Sequence, residues 1–327
     1  MQFKTNVGVK GEVLLCKRVN GVDVPVLPKF KNLILDAFIN AVYANALAYD
    51  FERIGFTVSQ IGNSFGVGAG SIAPEVTDTA LQTPLRHSSN VSIFESSCSY
   101  SSAEDAYTMI RGVRCEFSAA TVEENLSELA VFSGTNGTNQ TAYPIISRTL
   151  IKDGLGVPTT LTLAIGEILV IYYTFTCIIP RTVTAEKVIK GVPTTITMSY
   201  NKTSEVSYID FPFNRYNGPL GATSSHIAYR TTDFTIPPTY ASFSFSGWVQ
   251  DNSAINSRTP VGVGVGLKQR SRINLNYANS PTVYGIHFKV NSSSADNSGW
   301  IFKFNPPFEK TDQEVIDLES IMTITRL

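Results

Sequence analysis

Charge is scarce in this chain of 327 residues. Asp, Glu, Lys and Arg make up 16% of it, against ~25% in an ordinary soluble domain. The charges balance to −1 and no block of Lys and Arg occurs. Nucleic-acid binding rests on neutralising phosphates, so that class is disfavoured. Cysteine is also sparse. Cys16, Cys98, Cys115 and Cys177 lie far apart and form no C-x-x-C pair, which excludes zinc-finger and thioredoxin-type sites. Free, mostly buried thiols in a reducing compartment are expected. No long apolar run exists. The longest, Ile168–Ile179, is interrupted by Tyr172, Tyr173, Thr174 and Thr176 and falls short of the ~20 residues that span a bilayer. Met1–Lys10 has lysines but no apolar segment, so no secretory leader and no membrane insertion are expected, with synthesis in a cytoplasm.

What is present is β-type patterning. Leu14–Val19 and Val22–Leu27 flank Asn20-Gly21. That pair suits the two φ > 0 positions of a type I′ turn, so a hairpin is expected. From Leu35, the residues Phe38, Ile39, Val42, Tyr43, Ala46 and Tyr49 recur at three and four, with Leu33, Ile34 and Leu47 on other faces. The spacing predicts a helix over about 33–49, buried on more than one side. Residues 61–86 follow, with Gly62, Gly66, Gly68, Gly70 and Pro74. Such a run is expected to be a shaped turn rather than a strand centre, a corner between the helix and the strands beyond.

Residues 87–103 are Ser-rich and read as a strand broken by a loop. Tyr107, Met109, Val113, Cys115 and Phe117 alternate with polar residues, Arg111 being the exception on the apolar side. Period two predicts a strand with one buried face. Leu126–Phe132 and Ile145–Ile151 read as further strands, and Glu167–Ile179 as a strand covered on both faces. Pro180 and Lys187–Pro193 mark a boundary, giving a first β-rich domain over 1–180 and a second all-β domain over 181–327. Val283–Val290, Trp300–Phe304 and Val315–Thr325 read as three final antiparallel strands. The fold expected is mainly β: antiparallel sandwich or barrel-like domains with one buried helix near the N-terminus. No fixed-period repeat is visible, against propellers and solenoids.

Chemical motifs are weak. Gly62-Asn63-Ser64-Phe65-Gly66 matches G-x-S-x-G, but a nucleophile elbow needs a helix directly after it, and here more glycines and Ala73-Pro74 follow. Its partners would have to come from His87, His226 and His287. The same glycines lack the Gly-Lys-Ser/Thr of a phosphate loop. Glu123, Glu124, Glu128 and Asp153 are scattered acids, read as solvated turn residues rather than a glycosidase pair. Asp50, Glu52, Asp78 and Asp153 do not form a calcium loop. Tyr208, Tyr216, Tyr229 and Trp248 would stack on sugars if exposed and are core residues otherwise. No catalytic, cofactor-binding or metal residue is therefore assigned, and neither an enzyme nor a cofactor is expected.

Five stretches in order resemble a family of tailed-bacteriophage tail or tail-fibre structural proteins. The first is Phe30-Lys31-Asn32-Leu33-Ile34-Leu35-Asp36-Ala37, with Phe38 where the family usually has glycine. The second runs Gly66-Val67-Gly68-Ala69-Gly70-Ser71, Ala73-Pro74 and Thr77-Asp78-Thr79-Ala80-Leu81. The third is Phe117-Ser118-Ala119 with Asn125-Leu126-Ser127-Glu128-Leu129-Ala130-Val131-Phe132. The fourth is Ser147–Thr160 and the fifth Glu167–Tyr173. Phe302–Asp312 is similar to closing segments of such proteins. The resemblance implies a virion protein of the tail body, baseplate or fibre, forming a symmetric homo-oligomer and contacting other tail proteins. A carbohydrate-recognising adhesin, whose second domain would meet a host-surface glycan, and a capsid decoration protein are the alternatives. Low charge density suits large buried interfaces.

Overall fold

The computed structural model describes residues 2–40, 61–133, 145–201, 227–236, 248–251, 255–262, 266–273, 282–289, 299–311 and 313–327. The chain is mainly β, built around one curled and mostly antiparallel sheet, with little helix among the described residues. Strand β1 (Gln2–Val19) is its axis. One edge of β1 pairs over Gly8–Lys17 with β12 (Leu169–Pro180). The other edge takes three partners in succession. They are β21 (Ile316–Arg326) in parallel, then β3 (Phe30–Ile34), then β2 (Val22–Pro25). Val7, Val9, Val13 and Leu15 on the inner face are all fully buried. The turn to β2 is the expected one: Asn20 and Gly21 have φ of 51° and 80°.

From β3 the sheet continues through β10 (Ile145–Leu150), β9 (Glu128–Ser133), β4 (Ile61–Gly68) and β5 (Pro84–Ser88). From β12 it continues in another direction through β7 (Ala106–Glu116) and β6 (Val91–Ser101). The inner face of β12 is closed by Ile171, Tyr173, Phe175, Cys177 and Ile179. These stand opposite Cys115, Val113, Arg111, Met109 and Tyr107 of β7, as period two requires. Arg111 keeps its place in this apolar row, with its Nε donating to the Ile61 carbonyl at 3.2 Å. β8 (Glu124–Leu126) and β11 (Leu161–Leu163) form a short ribbon.

A second, six-stranded sheet has the order β13-β14-β20-β19-β15-β16. Its strands are β13 (Thr182–Ile189), β14 (Val192–Asn201), β15 (Ile227–Arg230), β16 (Trp248–Asp251), β19 (Val283–Lys289) and β20 (Gly299–Phe308). Ile196, Met198, Ile286, Phe302 and Phe304 of this sheet join the same buried cluster as Val9, Phe65 and Phe175. Ile301, on the opposite face of β20, packs instead with Ala228, Phe234 and Trp248. The remaining strands, β17 (Ile255–Gly262) and β18 (Gly266–Ile273), pair through β21 onto β1.

Four expectations are corrected. Leu33 and Ile34 are not helical: they end β3, paired with Arg148 and Ser147 of β10. Helical backbone starts at Asp36 and is described only over 36–40, with Phe38 and Ile39 buried, so the rest of the 33–49 segment lies outside the described residues. The glycine run is half strand, since Ile61–Gly68 is β4, flanked by β9 and β5. The final three strands do not form one antiparallel set. β19 pairs with β20, but β21 crosses to the first sheet and lies parallel to β1. Finally, Glu167–Ile179 is not buried on both faces: Tyr172, Thr174 and Ile178 remain half-exposed on the outer side of β12.

Candidate functional site

A buried polar cluster lies beneath the glycine corner. Glu128 opens β9 and is fully buried, which corrects its reading as a solvated turn acid. Its Oε1 accepts from the backbone N–H of Gly70 at 3.1 Å and of Thr83 at 2.7 Å. Its Oε2 accepts from the Gln82 N–H at 3.1 Å and from Arg148 Nε and Nη2 at 3.1 and 2.8 Å. Arg148, 3% exposed, stands on β10 beside β9. Its Nη1 reaches Asp78 Oδ2 at 2.6 Å and its Nη2 donates to the Ile72 carbonyl at 3.1 Å. Asp78 in turn accepts from the Glu75 N–H at 2.9 Å.

This cluster holds a loop in shape. Residues 69–83 form no ladder of their own, so their inward backbone donors need acceptors. One carboxylate supplies three of them, and one guanidinium neutralises it through a two-pronged contact. A buried charge is tolerable only when paired and hydrogen-bonded in this way. The glycines have a steric role here. A Cβ on Gly68 would stand 2.4 Å from the Thr83 carbonyl oxygen, and one on Gly70 would stand 2.5 Å from Glu128 Oε1. Gly68→Ala should therefore cost roughly 1–3 kcal/mol by overpacking, read as a lower urea midpoint at unchanged slope. A cost under about 0.5 kcal/mol would mean the corner is slack.

Among the described residues, the acids and histidines considered for catalysis do not assemble into a reactive group. Ser64, in the G-x-S-x-G match, is buried inside strand β4, not raised on a turn. His87 is half-buried with its ring 5.5 Å from Phe132, and burial pulls its pKa down. His287 is fully buried on β19, its ring 5.9 Å from Trp248. His226, Asp50 and Glu52 lie outside the described residues. Asp153 shapes its own turn by accepting from the Leu155 and Val157 N–H groups at 2.9 Å each. Glu123 is exposed, and Glu124 pairs with Arg86 at 3.3 Å. No group of three or more His, Cys, Asp or Glu residues that could hold a metal exists among the described residues. Tyr229 and Trp248 pack into clusters of the six-stranded sheet; Tyr208 and Tyr216 lie outside the described residues. All four cysteines are free, and burial pushes the Cys115 thiol up to about 12, so it is inert near neutrality.

The outer face of the β1-β12-β7-β6 sheet carries a groove of about 630 Å³. Lys10, Glu12, Thr174, Thr176, Tyr172 and Phe94 are among its walls. A bulge in β6 lays the Phe94 ring over Gly112 of β7: an added Cβ there would meet the ring at 2.5 Å. That ring also meets Tyr172 edge-on at 5.4 Å. At one end of the sheet face, Asp23 gathers Arg18 at 3.0 Å, Arg114 at 2.7 Å and the Tyr172 hydroxyl at 2.8 Å. The Arg114 hydrogen bond, aided by those of Tyr172 and Arg18, holds the Asp23 carboxyl down at about 2. A depressed carboxyl stabilises the fold above its unfolded value of 3.8, and that contribution is lost as pH falls through about 2. Wild type should therefore exceed Asp23→Asn in denaturation midpoint at pH 5, and the gap should close between pH 4 and 2. A gap independent of pH would remove the ion pair as its cause.

Three of the five stretches that carry the family resemblance meet in the buried cluster, and the other two contact those three. Asp78, Glu128 and Arg148 come from the second, third and fourth. The first joins through Asn32, whose Nδ2 donates to Ser147 Oγ, and through the Asp36 N–H to the Val76 carbonyl at 2.8 Å. The fifth joins through the Phe117 N–H, which donates to the Leu169 carbonyl at 2.9 Å. Comparison with known proteins adds nothing to this. No protein-family model, no curated protein and no solved structure matches the chain. No helix among the described residues is long and apolar enough to cross a membrane.

Proposed function

We propose that this chain is a non-enzymatic structural protein of a bacteriophage tail, in the tail body, baseplate or fibre, working as a homo-oligomer. The observation that carries the reading is the meeting of three of the five family-like stretches in one buried network. Their most distinctive polar residues, Asp78, Glu128 and Arg148, are spent on holding a loop to a sheet. A motif whose residues are consumed in this way serves architecture, which is what an assembly subunit requires. The low charge density, 16%, supports the same reading, because buried subunit contacts are poor in charge.

The experiment is gold-labelled antibody against the chain on purified phage particles, viewed by electron microscopy. Label along or at the end of the tail is the expected result. Label on the head would replace this reading with a capsid decoration protein. Absence of label, together with absence of the chain from dissociated particles, would end the virion reading.

The groove favours a second reading, a glycan-recognising tail adhesin. Aromatic rings beside hydroxyls and carboxylates suit a sugar, with its apolar ring faces and its rim of hydroxyl groups. Saturable binding of the full chain to host cells, lost in Tyr172→Ala, is the outcome that would support it. Binding that never saturates would dismiss it.

A further inference from the structure

Every strand at the edge of a sheet offers a row of backbone donors and acceptors to another strand, and natural proteins guard such edges with shortness, proline or charge. Most edges of this molecule are guarded. Among the described residues, β2 has four residues and contains Asp23 and Pro25. β5 contains Pro84 and Arg86, β13 carries Glu186 and Lys187 side by side, and β17 contains Arg258 and Pro260. β16 has four residues.

β6 is the exception over Glu95–Ser101, beyond the bulge between Ile93 and Glu95. It has 11 residues, pairs with β7 on one side and with no other strand among the described residues, and contains no proline. Its single charge is Glu95. Beyond Glu95 the sequence is Ser-Ser-Cys-Ser-Tyr-Ser, where every side chain but that of Tyr100 is short enough to let a second backbone approach. Ile93 and Phe94, at the start of this strand, are 52% and 47% exposed and add apolar surface to the edge.

We infer that the β6 edge is a self-association surface, on which β6 of a second copy adds antiparallel across a two-fold axis. This goes beyond the tail reading and rests on it only for the expectation of an oligomer. The occupant is a second copy because the strand complements itself. A two-fold perpendicular to the sheet keeps each face on its own side and pairs residues symmetrically about one position. Centring on Ser97 sets each Glu95 opposite Ser99, and centring on Cys98 sets it opposite Ser101. The two carboxylates then lie about 14 Å or more apart along the strands, beyond the ~8 Å screening length of physiological salt. Parallel pairing in register would set like charges face to face. The antiparallel join places serine against small residues, where cross-strand hydroxyl contacts add to the ladder. It also extends the grooved outer face continuously across two subunits.

The test uses the full chain and the double variant Ser97→Glu, Ser99→Glu. Both side chains are exposed, so pairing with β7 is untouched and the melting curve of the monomer should be unchanged. In either register the new carboxylates meet carboxylates across the join. Sedimentation velocity through the micromolar range should show wild type passing from monomer to dimer, and the variant shifted at least about tenfold toward monomer. The neutral control Ser97→Thr, Ser99→Thr should still associate. Hydrogen exchange at the β6 amides should slow as wild-type concentration rises. A wild type that stays monomeric throughout, or a glutamate variant that associates as wild type does, overturns the inference. The two proposals fail separately. A β6 dimer from a chain absent from virions would end the tail reading alone, and a virion oligomer indifferent to the glutamates would end this one alone.

Discussion

Arg148→Ala should destabilise the fold by roughly 3–5 kcal/mol, because it leaves the Glu128 carboxylate buried without its counter-charge. Two hydrogen bonds to Glu128, one to Asp78 and one to the Ile72 carbonyl vanish together. The loss should be local first. Residues 69–83 hang on Glu128 by three backbone donors, so protease cleavage there should precede global unfolding. Asp78→Asn should cost much less, since Asp78 is partly solvated and the Glu128–Arg148 contact survives. Equal costs for the two would mean the charge pair is not the centre of the network. A cost for Arg148→Ala under about 1 kcal/mol would contradict its burial.

Phe175→Ala should cost a comparable ~3–5 kcal/mol for a different reason. Phe175 lies mid-strand on β12, fully buried, between Gly11 of β1 and Arg111 of β7. Its ring sits 5.3 Å from that of Phe38. Three strands and the start of the helical segment meet at this ring, so the surroundings cannot collapse into the space left by its removal. Phe175→Leu keeps most of the volume and should cost far less. Chemical denaturation reads both. Similar midpoints for the alanine and leucine variants would mean that packing volume is not what matters there.

These two sites differ in how far the sequence reveals them. Phe175 lies in a run of apolar residues whose period and length spell a strand, and Tyr107–Phe117, its partner, alternates openly. The hairpin at Asn20-Gly21 was equally legible, because turn chemistry is local. Glu128 and Arg148 were not. A single carboxylate in Ser-Glu-Leu reads as solvated, since isolated acids avoid the interior. What buries it is a guanidinium 20 residues away and the backbone of a loop about 50 residues before it. The glycines misled in a related way. Glycine weakens strands on average, yet Gly68 occupies β4, where a side chain would collide with the Thr83 carbonyl, and at Gly66 one would crowd Leu81 and Phe132. The parallel pairing of β21 with β1 joins the two ends of the chain, and no local pattern encodes it.

The order of the five family-like stretches was visible as text, but the convergence of three of them was not. Asn32, Asp78, Glu128 and Arg148 hold neighbouring strands and the corner together, so a small set of residues spread over more than 100 positions defines one junction. Removing Arg148 leaves Glu128 and Asp78 without their shared counter-charge, which ties those three together physically.

The most direct measurement is native-state hydrogen exchange at the amides of Gly70, Gln82 and Thr83. If Glu128 and Arg148 form the architectural junction described, these loop amides exchange only through global unfolding in wild type, and faster by orders of magnitude in Arg148→Ala. Rapid exchange of all three in wild type, at the rate of an ordinary surface loop, would contradict it.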